Sequence, residues 1–152
     1  MLKNLKINVA VVVLAALIPS LSFASACDNS KIQIKNATNQ ALVVTQLTPN
    51  GHSKITAPQN TINPHSMLEV TVKSGTLSMG DAQGIIGIAV EQESDKHIYL
   101  NYYFYREFNL GIDQRCYAFY YQTAMNDGLI YVVDGVNNNP ATLSYTIYAP
   151  RD

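Results

Sequence analysis

The chain has 152 residues, a formal net charge of −1, 14% charged residues, two cysteines and no tryptophan. That length suits one domain, and 47% hydrophobic residues argue against general disorder. A charge near zero removes the electrostatic case for nucleic acid or an anionic membrane surface, and two cysteines cannot alone build a four-ligand zinc site.

The N-terminus reads as an export signal. Lys3 and Lys6 form a positive start, Ile7 to Ile18 is apolar apart from Asn8, Pro19 and Ser20 break the helix, and Ala24-Ser25-Ala26 offers small residues for cleavage. The apolar run is shorter than the roughly 20 residues a bilayer span needs, and no later segment could span either. The expected organisation is therefore a signal peptide over 1–26 and a single domain over 27–152. The signal looks bacterial, and the mature protein is expected in the periplasm or outside the cell.

Cys27 and Cys116 are an even pair in an exported chain, which predicts a disulfide. Closing so long a loop stabilises the fold by about 4–5 kcal/mol in the chain-entropy model. The alternative concerns Cys27 alone. Ala24-Ser25-Ala26-Cys27 loosely resembles a lipobox, with Ala24 where leucine is usual. Lipid anchoring through Cys27 would leave Cys116 unpaired.

From Cys27 onward the apolar period is two. Ile32 and Ile34 alternate with lysines and Gln33, and Val43-Val44 is a short continuous run. Leu68, Val70 and Val72 alternate next, then Ile86, Ile88 and Val90. Ile98, Leu100, Tyr102 and Phe104 share one face of a strand, and Tyr117, Phe119 and Tyr121 share a face of another. Ile130 to Val133 is apolar throughout, and Leu143, Tyr145 and Ile147 alternate near the end. Such alternation marks half-buried strands. Turn chemistry punctuates them at Pro49-Asn50-Gly51, Asn63-Pro64, Ser74-Gly75, Gly80-Asp81, Asn126-Asp127-Gly128 and Asp134-Gly135. Gly84 to Tyr105 predicts a hairpin with its tip at Glu93-Ser94-Asp95-Lys96. Asp127-Gly128 is expected to link two strands, and Val136 to Pro140 to form a loop before the last one. About eight or nine strands without a helix predict an all-β, antiparallel β-sandwich, with a small β-barrel as the alternative.

All ten tyrosines fall at or after Tyr99. Both faces of the Ile98–Tyr105 strand carry aromatics, so one set must pack the core. Tyr102, Tyr117 and Tyr145 are assigned to packing. Tyr99, Tyr103, Tyr105 and Tyr120 are the candidate binding residues, because tyrosine offers large apolar area with a wet tip and little entropy to lose.

Motifs of known catalysis are missing: there is no GxSxG, HExxH, P-loop or Rossmann glycine pattern. His52, His65 and His97 are scattered, with no partner nominated by sequence. The expected chemistry is non-enzymatic, with no cofactor and no metal site. Asp134-Gly135-Val136-Asn137-Asn138-Asn139 carries oxygen ligands but lacks EF-hand spacing, which favours a polar loop over calcium. Asn36-Ala37-Thr38 fits the N-glycosylation pattern.

Ile32-x-Ile34-x-Asn36, then Ile62-Asn63-Pro64, Ser74-Gly75 and Gly84-Ile85-Ile86-Gly87-Ile88, follow an order that resembles aegerolysin-type and actinoporin-like β-sandwiches. The resemblance covers about the first half of the mature chain. It implies a small secreted sandwich that contacts membrane lipids. Aegerolysins use several tryptophans, and this chain has none. Ala141 to Tyr148 also alternates like the terminal strand of a pilus subunit, although pilin cysteines lie closer together. Three functions follow. The first is an exported binding module contacting a lipid, glycan or protein through tyrosine-rich strands and loops. The others are a membrane-active, toxin-like protein of the same fold, and a structural subunit or inhibitor of another exported protein.

Overall fold

The computed structural model describes residues 27–51, 53–74, 81–107, 115–121, 130–138 and 141–149. Ten strands follow in chain order: β1 (Ser30–Asn36), β2 (Leu42–Asn50), β3 (Lys54–Thr56), β4 (Thr61–Ile62), β5 (Met67–Lys73), β6 (Ala82–Val90), β7 (Glu93–Glu107), β8 (Arg115–Tyr121), β9 (Ile130–Asn138) and β10 (Ala141–Tyr148). They form two five-stranded sheets, β3-β5-β1-β10-β9 and β4-β2-β6-β7-β8. The architecture is the all-β sandwich that alternation predicts. The short β3 and β4 are the strands that periodicity cannot reveal, because three and two residues are too few to alternate.

The core is the apolar half of each alternation. Ile32 and Ile34 of β1, Leu68, Val70 and Val72 of β5, and Leu143, Tyr145 and Ile147 of β10 line the first sheet. Leu42 and Val44 of β2, Ile86, Ile88 and Val90 of β6, and Ile98, Leu100, Tyr102 and Phe104 of β7 line the second. Packing these side chains between two layers removes their area from water at about 25 cal/mol per Å².

The two ends of the described chain meet in the first sheet, where β1 pairs with β10 in parallel, Ile32 opposite Leu143 and Ile34 opposite Tyr145. The other edge of β10 pairs with β9. A pilus-type terminal strand would need a partner from another chain. Here both edges of β10 are occupied from within.

The disulfide expected from sequence is present. Cys27 and Cys116 are bonded, with Cα atoms 5.0 Å apart. It staples the turn before β1 to β8 and so joins the two layers. A Cys27 sulfur held in this bond carries no lipid thioether.

Two local expectations are revised. The β6–β7 hairpin turns at Glu91-Gln92, with Val90 opposite Glu93 and Ala89 opposite His97. Ser94, Asp95 and Lys96 are absorbed as an irregularity within β7, where Lys96 pairs with Glu93. The stretch Asp134–Asn138 is strand, not loop. Ser144 stands opposite Asp134 and Ala141 opposite Asn138, so ladder hydrogen bonds outweigh its turn propensity. β8 and β9 lie in different sheets; Asp127-Gly128, expected to link them, lies outside the described residues. The expected export signal over 1–26 lies outside them as well.

Candidate functional site: the outward face of the second sheet

The outer faces of the two sheets differ in chemistry. On the first sheet the outward positions are mostly polar, with Met67 and Tyr148 exposed only at strand ends. Lys31 Nζ donates to Glu69 Oε1 at 2.6 Å, Gln33 Nε2 donates to Glu69 Oε2 at 3.4 Å, and Ser144 Oγ donates to Gln33 Oε1 at 3.2 Å. The Lys31 ammonium beside Glu69 holds its carboxyl below the usual carboxylate range. This is an ordinary solvated face.

The second sheet presents aromatics outward. With Tyr102 and Phe104 in the core, alternation turns Tyr99, Tyr103 and Tyr105 of β7 to the other side. In β8, Cys116 and Ala118 face the core, which turns Tyr117 and Phe119 outward. Register then sets Tyr105 opposite Tyr117 and Tyr103 opposite Phe119. Tyr103 and Tyr105 stack with ring centroids 5.8 Å apart, and Tyr105 and Tyr117 with centroids 5.5 Å apart, at interplanar angles of 24° and 22°. Tyr99 and Phe119 remain 38% and 48% exposed, a large apolar display for one face. No formally charged residue occurs between Ala82 and Val90 or between Ile98 and Tyr105.

Of the four candidate tyrosines, Tyr99, Tyr103 and Tyr105 share this face. Tyr120 stands opposite Tyr102 in the register and shares the alternation of buried Cys116 and Ala118; its side chain is not among those described. Tyr102 and Tyr145 pack the core as expected, whereas Tyr117 is half-buried in the outer ladder. Tyr117 and Phe119 are the aromatics missed from sequence. Their signal was available: a disulfide cysteine faces inward, so the odd-numbered neighbours of Cys116 face out.

Glycines shape the face. At Gly87 a Cβ would come within 2.8 Å of Thr45 Oγ1 and 3.4 Å of Tyr99 Cε1, so the bare glycine lets the Tyr99 ring lie over β6. His97 meets the Tyr99 ring edge-on, with centroids 5.3 Å apart. Beside Tyr103 a groove of about 450 Å³ is lined by residues that include Thr48, Asn50, Gln83, Gly84 and Asn101. The Tyr103 hydroxyl donates to Asp81 Oδ2 at 3.0 Å.

Other sequence candidates lead elsewhere. Asn36 is fully buried, and its Nδ2 donates to the carbonyls of Gln40, Ile62 and Asn63 at 2.8, 2.9 and 3.2 Å. Its Oδ1 accepts from Thr38 N and Oγ1. The glycosylation pattern is thus occupied by a structural network that leaves no room for a glycan in the folded state. His65 sits in a turn with φ 57° and bonds Asn39 across 3.0 Å. His52 lies outside the described residues. Among the described residues no cluster of histidine, cysteine, aspartate or glutamate could hold a metal, and no helix is long and apolar enough to cross a membrane.

No protein-family model matches the chain, and no curated protein matches it. Among solved structures it is similar to IP-1A from Alcaligenes faecalis, at 11% identity and a TM-score of 0.49, over 84% of this chain and 95% of that one. At that level the likeness bears on neither ligand nor activity.

Proposed function

We propose that this protein is an exported, non-enzymatic binding module whose recognition element is the outward face of the second sheet. The observation that carries this is the contrast between the two faces. A sheet face normally solvated by polar residues here sets Tyr99, Tyr103, Tyr105, Tyr117 and Phe119 side by side, with two stacked ring pairs. Tyrosine fixed in a strand loses little entropy on contact and keeps a hydroxyl for hydrogen bonding. The disulfide supports export, since such bonds persist in oxidising compartments.

The membrane-active alternative draws on the same face, because aromatic rings with polar tips suit the bilayer interface. It also accords with the resemblance to aegerolysin-type sandwiches. Leakage of a dye from phosphatidylcholine–sphingomyelin vesicles distinguishes it from simple binding.

Titration with those vesicles and with neutral oligosaccharides, read by tyrosine emission, is expected to reveal a saturable partner. A double variant, Tyr99→Ser with Phe119→Ser, is expected to lose most of that signal while unfolding at the parent temperature. A variant that unfolds, or one that binds as well as the parent, rejects the face.

A further inference from the structure

We infer that the ligand of this face is a neutral oligosaccharide, with one sugar ring seated in the groove beside Tyr103; the inference rests on the binding-module proposal and names its substrate class. The groove of about 450 Å³ falls within the roughly 300–1,000 Å³ of small-molecule sites. Its polar lining is Thr48, Asn50, Gln83 and Asn101, and none of the lining residues is charged. Amides and hydroxyls both donate and accept, as do the vicinal hydroxyls of a sugar.

A pyranose has an apolar C–H face and a hydroxyl rim, so it needs an aromatic plane beside neutral polar groups. Tyr103 supplies that plane. Its ring is held by the bond to Asp81 at one end and by the stack on Tyr105, so little freedom is lost when a ligand arrives. The backbone beneath is equally fixed, because the Asn101 carbonyl accepts from Tyr145 Oη at 2.6 Å, tying β7 to the opposite sheet. The aromatic row continues from Tyr103 through Tyr105 to Tyr117 at 5.8 and 5.5 Å spacing. That row extends apolar surface beyond the groove for neighbouring sugars, which favours an oligomer over a single ring.

Competing chemistries fit less well. A phosphate-bearing ligand would call for a cation to offset its desolvation, and none lines the groove. A bare hydrocarbon surface would match Pro49 and Ile85 but leave Thr48, Asn50, Gln83 and Asn101 covered and unsatisfied.

The test uses the ¹⁵N-labelled mature protein titrated with maltohexaose, cellohexaose, mannohexaose and chitohexaose, and separately with phosphatidylcholine–sphingomyelin vesicles. One of the sugars is expected to give saturable shifts centred on the amides of Gln83, Gly84 and Tyr103. Affinity is expected to fall about tenfold in Tyr103→Ala, and to fall also in Gln83→Ala, an exposed position whose loss leaves the fold intact. If no sugar moves those amides, or if Gln83→Ala binds as tightly as the parent, the sugar assignment is overturned. Vesicle binding at Tyr99 and Phe119 in that case would leave the binding face standing with another ligand. Failure of both probes would overturn face and sugar together.

Discussion

Tyr102 and Tyr145 are both buried phenols, but their hydroxyls differ. Tyr145 Oη donates to the Asn101 carbonyl at 2.6 Å, bridging the sheets. Tyr102 Oη is buried with no hydrogen-bond partner among the described residues. The nearby Ser53 hydroxyl instead donates to the carbonyls of Asn50 and Gln83. Burial pushes the Tyr102 phenol up to about 12, with Ser53 opposing the shift. Tyr145→Phe is therefore expected to cost about 1 kcal/mol, and Tyr102→Phe to be neutral or slightly stabilising. Urea unfolding of the two variants checks this, and equal losses would show that the Tyr102 hydroxyl is bonded after all. The pH dependence has a definite sign. The neutral phenol is favoured in the folded state, so its contribution is complete below the ordinary tyrosine value near 10 and is lost as pH rises toward about 12. Alkaline titration of tyrosinate absorbance should show a late-ionising phenol that disappears in Tyr102→Phe.

At the scale of strands, β6 works as a thin plank between β2 and β7. Gly84 is the tightest point. A Cβ there would run into the Thr48 carbonyl oxygen and lie 2.5 Å from Tyr102 Oη. The carbonyl belongs to the paired β2 backbone, with Pro49 opposite Gly84, and cannot move without disturbing the ladder. At Gly87 the obstacles are side-chain atoms of Thr45, Gln46 and Tyr99, which have more freedom to shift. Gly84→Ala is thus expected to destabilise by about 1–3 kcal/mol, and Gly87→Ala by less while displacing the Tyr99 ring. Thermal unfolding of the pair provides the comparison. The reverse order would mean that backbone crowding at β2–β6 does not limit this sheet.

At the scale of the whole molecule the two layers share one continuous core and one covalent tie. Cutting that tie restores the entropy of an 89-residue separation, a loss of about 4–5 kcal/mol in the chain-entropy model. Domains of this kind have only about 5–15 kcal/mol in total. Reduction is therefore expected to lower the urea midpoint sharply, and Cys27→Ser with Cys116→Ser to behave like the reduced protein. An unchanged midpoint would show that packing alone holds the layers.

Local alternation determined much of this architecture from sequence. Ile32, Leu68, Ile88, Leu100, Leu143 and their neighbours had to share buried faces, because successive strand residues point to opposite sides. The cysteine pair followed from their even number in a chain expected to be exported. Tertiary structure decided what alternation leaves symmetric. A strand with aromatics on both faces, such as Ile98–Tyr105, does not state which face meets solvent; the opposing sheet does. Partner choice is equally non-local, so the parallel meeting of β1 with β10, the capture of the oxygen-rich Asp134–Asn138 stretch as a strand, and the alignment of Tyr103, Tyr105 and Tyr117 into one row arise only once distant segments pair. The period of two sets a strand's faces, but contacts between residues far apart in sequence decide which face is left to solvent.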